Sequence, residues 1–195
     1  MSTRSLAAAC ALLLALPAYA QQRIAVVNEG GIRDAWMLPD GASLVAPEYP
    51  PTLARRGDEA CVSIGYLLNA DGTLSDFTLV KAWNSASGDK EPQPGYWSAF
   101  AEAAGDALSQ WRFQPRPQIT RPQPVFTVGT FVFGTKGQAT SVRDRCRIPN
   151  LVAHLRDVRS GKALRMASIL SRLDLRDTDP DDERRRQAQS MYRPP

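Results

Sequence analysis

The run from Cys61 to Leu68 leaves the chain little choice of local conformation. Val62, Ile64, Tyr66 and Leu68 alternate with Cys61, Ser63, Gly65 and Leu67, and an apolar period of two predicts a half-buried β-strand with one face on a core. Asp71-Gly72 follows, a pair suited to the positive φ of a tight hairpin turn. Leu74, Asp76, Thr78 and Val80 then interleave with Thr73, Phe77 and Leu79 as the returning strand. A two-stranded hairpin is marginal alone in water, so the rest of the chain has to cover its apolar face.

The cover is expected from Tyr96 onward. Trp97, Phe100, Ala101, Ala104, Leu108 and Trp111 recur three and four residues apart, the spacing of a helix lying on a sheet. Ala103 and Ala107 keep helix propensity high, and Trp111 and Phe113 read as rivets at the helix end. Pro115, Pro117, Pro122 and Pro124 forbid regular structure, and Val125 to Phe133 is a third strand whose Gly129 suggests a bulge or a close backbone approach. Ala82 to Gly95 is a polar loop, longer than usual. Upstream, Pro47, Tyr49, Pro50 and Pro51 enforce an extended entry, and Thr52 to Arg56 has room for one helical turn that Gly57 can stop. Ile24 to Val27 is either an added edge strand or an ordered arm. The elements so read are two strands in a hairpin, a helix and a third strand, followed by a helical C-terminal extension.

The ends bound location and partners. Arg4, the apolar run Leu6 to Leu16 and Pro17-Ala18-Tyr19-Ala20 have the layout of a cleaved signal peptide over residues 1–20, which would start the mature chain at Gln21. The alternative, an inner-membrane anchor, needs roughly 20 apolar residues to span a bilayer. Residues 21–46 then form an N-terminal arm, 47–135 the domain, and 136–195 a basic extension. Residues 21–135 hold 9 basic and 12 acidic side chains, and residues 136–195 hold 14 and 8. The positive charge therefore lies in the tail. In an exported protein its partners are an envelope surface or the acidic domain, and nucleic acid is not expected. In the tail, Pro149-Asn150 can open a helix with Leu151, Leu155 and Val158 on one face; Leu164, Ala167, Leu170 and Leu173 resume the spacing after Gly161. Asp179-Pro180 can cap a helix leading into Arg184-Arg185-Arg186, which reads as a solvated face or as a lipid contact. Cys61 and Cys146 are the two cysteines outside the signal; export favours a disulfide between them, with two buried free thiols as the alternative.

Chemistry-bearing patterns are few. His154 is the one histidine and reads as a surface side chain, so no Cys/His metal site is expected. No nucleophile elbow, phosphate loop or dinucleotide fingerprint is present, and Asp58-Glu59 read as solvated turn residues. The expectation is a protein that is not an enzyme and takes no cofactor or metal.

With these residues in place, the chain resembles the C-terminal domain of the TonB energy transducers. The matching pieces are Pro47-x-Tyr49-Pro50, Gly57-x-Glu59-x-x-Val62-x-Ile64, Asp71-Gly72, the helix through Ala103 and Ala107 into Trp111-Arg112-Phe113-x-Pro115, and the closing strand Val125 to Phe133. The resemblance implies the α+β fold class, a small antiparallel sheet in the order strand, strand, helix, strand with one helix packed on a face, here with a helical C-terminal extension. It also implies a periplasmic domain that binds a short extended segment of an outer-membrane receptor by adding it to the sheet edge. That edge would be Val125, Phe126, Thr127, Val128, Gly129, Thr130 and Phe131, unless the protein's own arm or tail caps it. The partner that the resemblance implies is a protein segment; the basic tail, which lies outside the family pattern, adds peripheral envelope contact through its charge, and a second copy of the chain is a further expected partner. Family transducers also carry a membrane helix and a long Pro-rich spacer. Here the apolar run is of signal-peptide length and the stretch before Pro47 is short, so the resemblance is confined to the C-terminal domain. The alternative is a free-standing envelope adaptor or structural protein.

Overall fold

The computed structural model describes residues 24–134, 139–160 and 167–175. The expected signal peptide, Gln21, Leu164 and the Arg184-Arg185-Arg186 segment lie outside them. In chain order the elements are β1 (Ala25–Val26), β2 (Trp36–Met37), β3 (Ala60–Leu68), β4 (Leu74–Asn84), α1 (Tyr96–Ser109), β5 (Gln114–Pro115), β6 (Val125–Phe133), α2 (Ala139–Cys146), α3 (Leu151–Ser160) and α4 (Ala167–Leu170). β3, β4, α1 and β6 are the expected strand, strand, helix, strand. The main sheet runs β1-β6-β3-β4, and β2 and β5 pair separately.

The hairpin turn is fixed by its sequence. Asp71 Oδ1 accepts hydrogen bonds from the Thr73 hydroxyl and amide at 2.6 and 3.0 Å, and these donors hold its carboxyl below the usual carboxylate value. Gly72 has φ 83°, and its carbonyl accepts from the Phe113 amide at 3.0 Å. A Cβ on Gly72 would sit 1.8 Å from the Phe113 carbonyl oxygen. Glycine is thus required for both backbone angle and clearance, because the chain leaving α1 is seated on the turn.

Every residue of β3 is buried, which corrects the expectation of a half-buried strand. One face carries Val62, Ile64, Tyr66 and Leu68 against Tyr96, Phe100, Ala104 and Leu108 of α1, together with Phe131 and Phe133. The Phe100 and Phe133 rings meet edge-on at 4.8 Å, and Tyr49 from the proline-rich strap joins Phe100 at 5.3 Å. The opposite face is covered as well. Phe126 and Val128 pack with Ile148, Leu151, Leu155, Leu170 and Leu173, and Cys61 packs with Val142, Cys146 and Trp83. Within the described residues the C-terminal extension is therefore the second cover of the sheet. A Cβ on Gly65 would come 2.5 Å from the Phe126 ring, so this glycine makes room for the ring on β3.

Cys61 and Cys146 form a disulfide across 85 residues, tying β3 to the end of α2. Asn150 caps α3 by accepting the Ala153 amide at 2.9 Å; Leu151 and Leu155 are buried and Val158 partly so. The helix α2 has no apolar period that would announce it, since it buries only Val142 and Cys146. Gly57 has the expected left-handed φ of 61°, but the helical turn before it is a 3-10 turn at Pro51–Leu53 and not one over Thr52 to Arg56. The expected bulge at Gly129 is absent: β3 and β6 pair in unbroken register through Ile64↔Gly129. The register shifts lie between β3 and β4 instead, where an edge strand is free to twist. The long loop after β4 is organised by buried Asn84, whose side chain accepts from the Ala86 and Ser87 amides at 2.8 Å and donates to the Gly88 carbonyl at 3.2 Å.

Candidate functional site

The strand expected to be an open docking edge is the second strand in. β1 lies parallel to it with Ala25↔Val125 and Val26↔Phe126 in register, and the Val27 amide donates to the Phe126 carbonyl at 3.0 Å. Val125, Phe126 and Thr127 are therefore covered by the N-terminal arm, which resolves the choice at Ile24 to Val27 as a strand. The physical reason is that a β-branched run a short distance upstream can satisfy backbone groups that would otherwise stand open.

Past Val27 the arm continues the ladder with side chains. Asn28 accepts the Thr127 hydroxyl on its carbonyl at 3.2 Å, and its side-chain oxygen accepts the Leu151 amide at 2.8 Å. Gly30, at φ 80°, then turns the chain away. Glu29 is left facing β6. One carboxylate oxygen accepts the Thr130 amide at 2.8 Å and the other contacts the Thr130 hydroxyl at 3.0 Å. Arg143 of α2 pairs with the same carboxylate at 2.6 Å. Glu29 thus holds the position that the carbonyl of an added strand would take. The polar chain continues inward: Thr130 and Ser63 hydroxyls lie 3.0 Å apart, and Ser63 donates to the Cys146 carbonyl at 2.7 Å.

Beyond Glu29 the outer edge of β6 opens into a groove of about 750 Å³ that runs from Val128 to Val132. Tyr66, Gly129 and Phe131 line it beneath, and Leu44, Val45, Trp111 and Phe113 form its walls. Leu44 and Val45 are 44% and 39% exposed. The Val45 carbonyl accepts the Trp111 indole N–H at 2.8 Å, which pins the strap to the end of α1. The Trp111 ring stands 5.7 Å from Phe131 and 6.4 Å from Phe113. Trp111 and Phe113 were expected as core rivets, but each is only partly buried and completes the groove wall. The helix stops at Ser109, so Trp111 is carried on the exit loop, away from the buried stripe. Burial, and then the negative charge of Glu29, raise the Tyr66 phenol above its ordinary value.

Of the expected docking residues, Val128, Gly129, Thr130 and Phe131 reach this groove. Sequence reasoning missed Glu29, Leu44, Val45 and Arg143. The adjacent apolar pair Leu44-Val45 ahead of a proline segment was the available signal; nothing local marks Glu29 or Arg143. His154, expected at the surface, is half-buried with Nε2 3.4 Å from the Val80 carbonyl oxygen. Among the described residues no group of three or more His, Cys, Asp and Glu side chains could hold a metal ion, and no helix is long and apolar enough to cross a membrane.

No protein-family model matches the chain, and no curated protein matches it. Among solved structures it is similar to the Pseudomonas aeruginosa TonB C-terminal domain, with 20% identity over 50% of this chain and 86% of that one and a TM-score of 0.37. It is also similar to the Helicobacter pylori TonB C-terminal domain, with 23% identity over 46% of this chain and 70% of that one and a TM-score of 0.32.

Proposed function

We propose that the chain is a non-catalytic binding domain of the periplasm, delivered by a cleaved signal peptide, that takes an extended segment of a partner protein onto the outer edge of β6. The partner class is the periplasmic segment of an outer-membrane receptor, as the sequence resemblance implies. The observation that carries this reading is the state of that edge. Its first third is filled by β1, its middle amide is held by a carboxylate in place of a strand carbonyl, and its remainder borders an apolar groove with exposed Leu44 and Val45 at the rim. An incoming strand would replace Glu29 on Thr130 and lay one set of side chains over Gly129 and against Leu44, Trp111 and Phe113, with the alternate set on the opposite face.

The basic tail is assigned a lesser part. Within the described residues several of its arginines have intramolecular partners: Arg143 with Glu29, Arg145 over the Trp83 ring at 5.5 Å, Arg156 with the Leu175 carbonyl and Arg172 with Asp76. The test is fluorescence anisotropy with labelled peptides spanning the periplasmic N-terminal segments of outer-membrane receptors from the same cell. Binding should fall about tenfold or more in Leu44→Asp and in Val45→Asp, positions exposed enough that stability stays within about 0.5 kcal/mol. Glu29→Gln, which weakens the hold on Thr130, should leave binding equal or tighter. Equal affinity for the wild type and both aspartate variants would remove the groove from the binding site.

A further inference from the structure

The sheet has a second edge. β4, eleven residues long, ends the strand order opposite β1, and among the described residues β3 is its one strand neighbour over that length. Beside it runs a separate groove of about 870 Å³, bounded by Phe77, Thr78 and Leu79 on one side and the outer flank of α1 on the other. Phe77 is 38% exposed, the one large hydrophobic residue so exposed outside the Leu44-Val45 rim among the described residues. Its ring lies over Gly105, where an added Cβ would make ordinary contact at 3.8 Å. Among the described residues His154 meets the Val80 carbonyl and Arg172 meets Asp76, while Phe77, Thr78 and Leu79 between them face the groove. A strand edge with no outer strand neighbour beside a helix is a geometry in which extended peptides are recognised by strand addition.

Charge decides which peptide. Glu91, Glu102 and Asp106 line this groove, and neither lysine nor arginine does. The groove on the other flank of α1 adds Glu48 and again contains no basic residue. Glu102 and Asp106 are exposed and sit one helical turn apart, a spacing at which like charges repel. A bound cation between them would relieve that repulsion. The strand itself is irregular on either side of Thr78 and Leu79, with register shifts against β3 and a positive φ at Asp76. The stretch suited to pairing is therefore short, and side-chain charge has to supply part of the recognition.

We propose that the outer edge of β4 at Phe77–Leu79 and the acidic flank of α1 form a second docking groove, whose occupant is an extended polypeptide segment carrying lysine or arginine side chains. It is distinct from the β6 groove and does not depend on it. The experiment uses the full chain labelled with nitrogen-15 and titrated with a capped alternating lysine–valine heptapeptide. Amide shifts should concentrate at Phe77–Leu79 and Glu102–Asp106. Affinity should drop about tenfold or more between about 25 mM and about 500 mM salt, and the alternating glutamate–valine peptide should cause no shifts. The double variant Glu102→Lys with Asp106→Lys changes two exposed positions, leaves the spectrum folded, and should lose binding about tenfold or more. A heptapeptide N-methylated at alternate residues keeps its charge but cannot extend the sheet, so it should bind more weakly. Three results would overturn the proposal: shifts centred on Val128–Val132, equal binding by the N-methylated peptide, or unchanged binding by the lysine variant. A fourth concerns the chain's own Arg184-Arg185-Arg186. If replacing these by alanine moves the β4 and α1 amides with no peptide present, the occupant is the tail and not a partner.

Discussion

Replacing Cys61 and Cys146 together by alanine removes the covalent tie between the centre of the sheet and its C-terminal cover. The bond closes a separation of 85 residues, and the chain-entropy relation for a loop of that length gives about 4.5 kcal/mol at 25 °C. Both cysteines are fully buried, so the alanine pair also leaves a small void. Reduced wild type is the better comparison, since it loses the crosslink while keeping both sulfurs. Against a usual domain stability of about 5–15 kcal/mol, the loss should lower the melting temperature by roughly 10–15 °C. The assay is guanidinium chloride unfolding of oxidised protein, reduced protein and the double variant, followed by tryptophan emission. Trp83 packs beside the bond and lies under Arg145, which makes it a local reporter. The reduced protein should lose about 3–5 kcal/mol and the variant slightly more. A difference below about 1 kcal/mol would refute the reasoning, because the crosslink would then restrict nothing in the unfolded chain. So would alkylation of both thiols in native protein without reductant.

Gly72→Ala combines a backbone angle that disfavours a side chain with a Cβ 1.8 Å from the Phe113 carbonyl oxygen; it should cost about 3 kcal/mol or more and be visible as a lower thermal midpoint. A cost below about 1 kcal/mol would mean that the turn moves freely off the α1 exit. Stability should also fall in alkali. Burial is the main cause raising the Tyr49, Tyr66 and Tyr96 phenols, followed by the charge of Asp58 for the first and last and of Glu29 for Tyr66. The folded state then holds protons that the unfolded chain releases, so their contribution is complete below pH of about 10 and is lost as pH rises through the folded values. Denaturant midpoints measured between about pH 8 and about pH 11 should show a shallower fall in Tyr66→Phe than in wild type; matching slopes would exclude that phenol.

Much of the fold was written locally. The period-two run at Val62 to Leu68, the Asp71-Gly72 turn, the three-and-four spacing from Phe100 to Leu108 and the Val125–Phe133 run each specify their own element from nearest neighbours. Those signals concern one face of a strand and one turn of chain, so they need no knowledge of distant partners. What covers the other face is a different matter. Cys61, Ser63 and Gly65 look like the solvent side of β3 until α2 and α3, some eighty residues on, close over them. The helix α2 in particular buries too few side chains to show an apolar period.

The strand, strand, helix, strand order and the two cysteines able to pair were legible from residue types alone, because secondary structure and turn chemistry follow from side chains close together along the chain. Which sheet edges are covered follows instead from long-range packing. The arm reaches β6 through Val27, Asn28 and Glu29 from about a hundred residues away, and Arg143 of α2 meets Glu29 there. Sheet-edge pairing is made by backbone groups that every residue possesses, so no residue type announces it in advance. Its outcome turned one expected open edge into a half-filled groove and, among the described residues, left β4 without an outer strand neighbour.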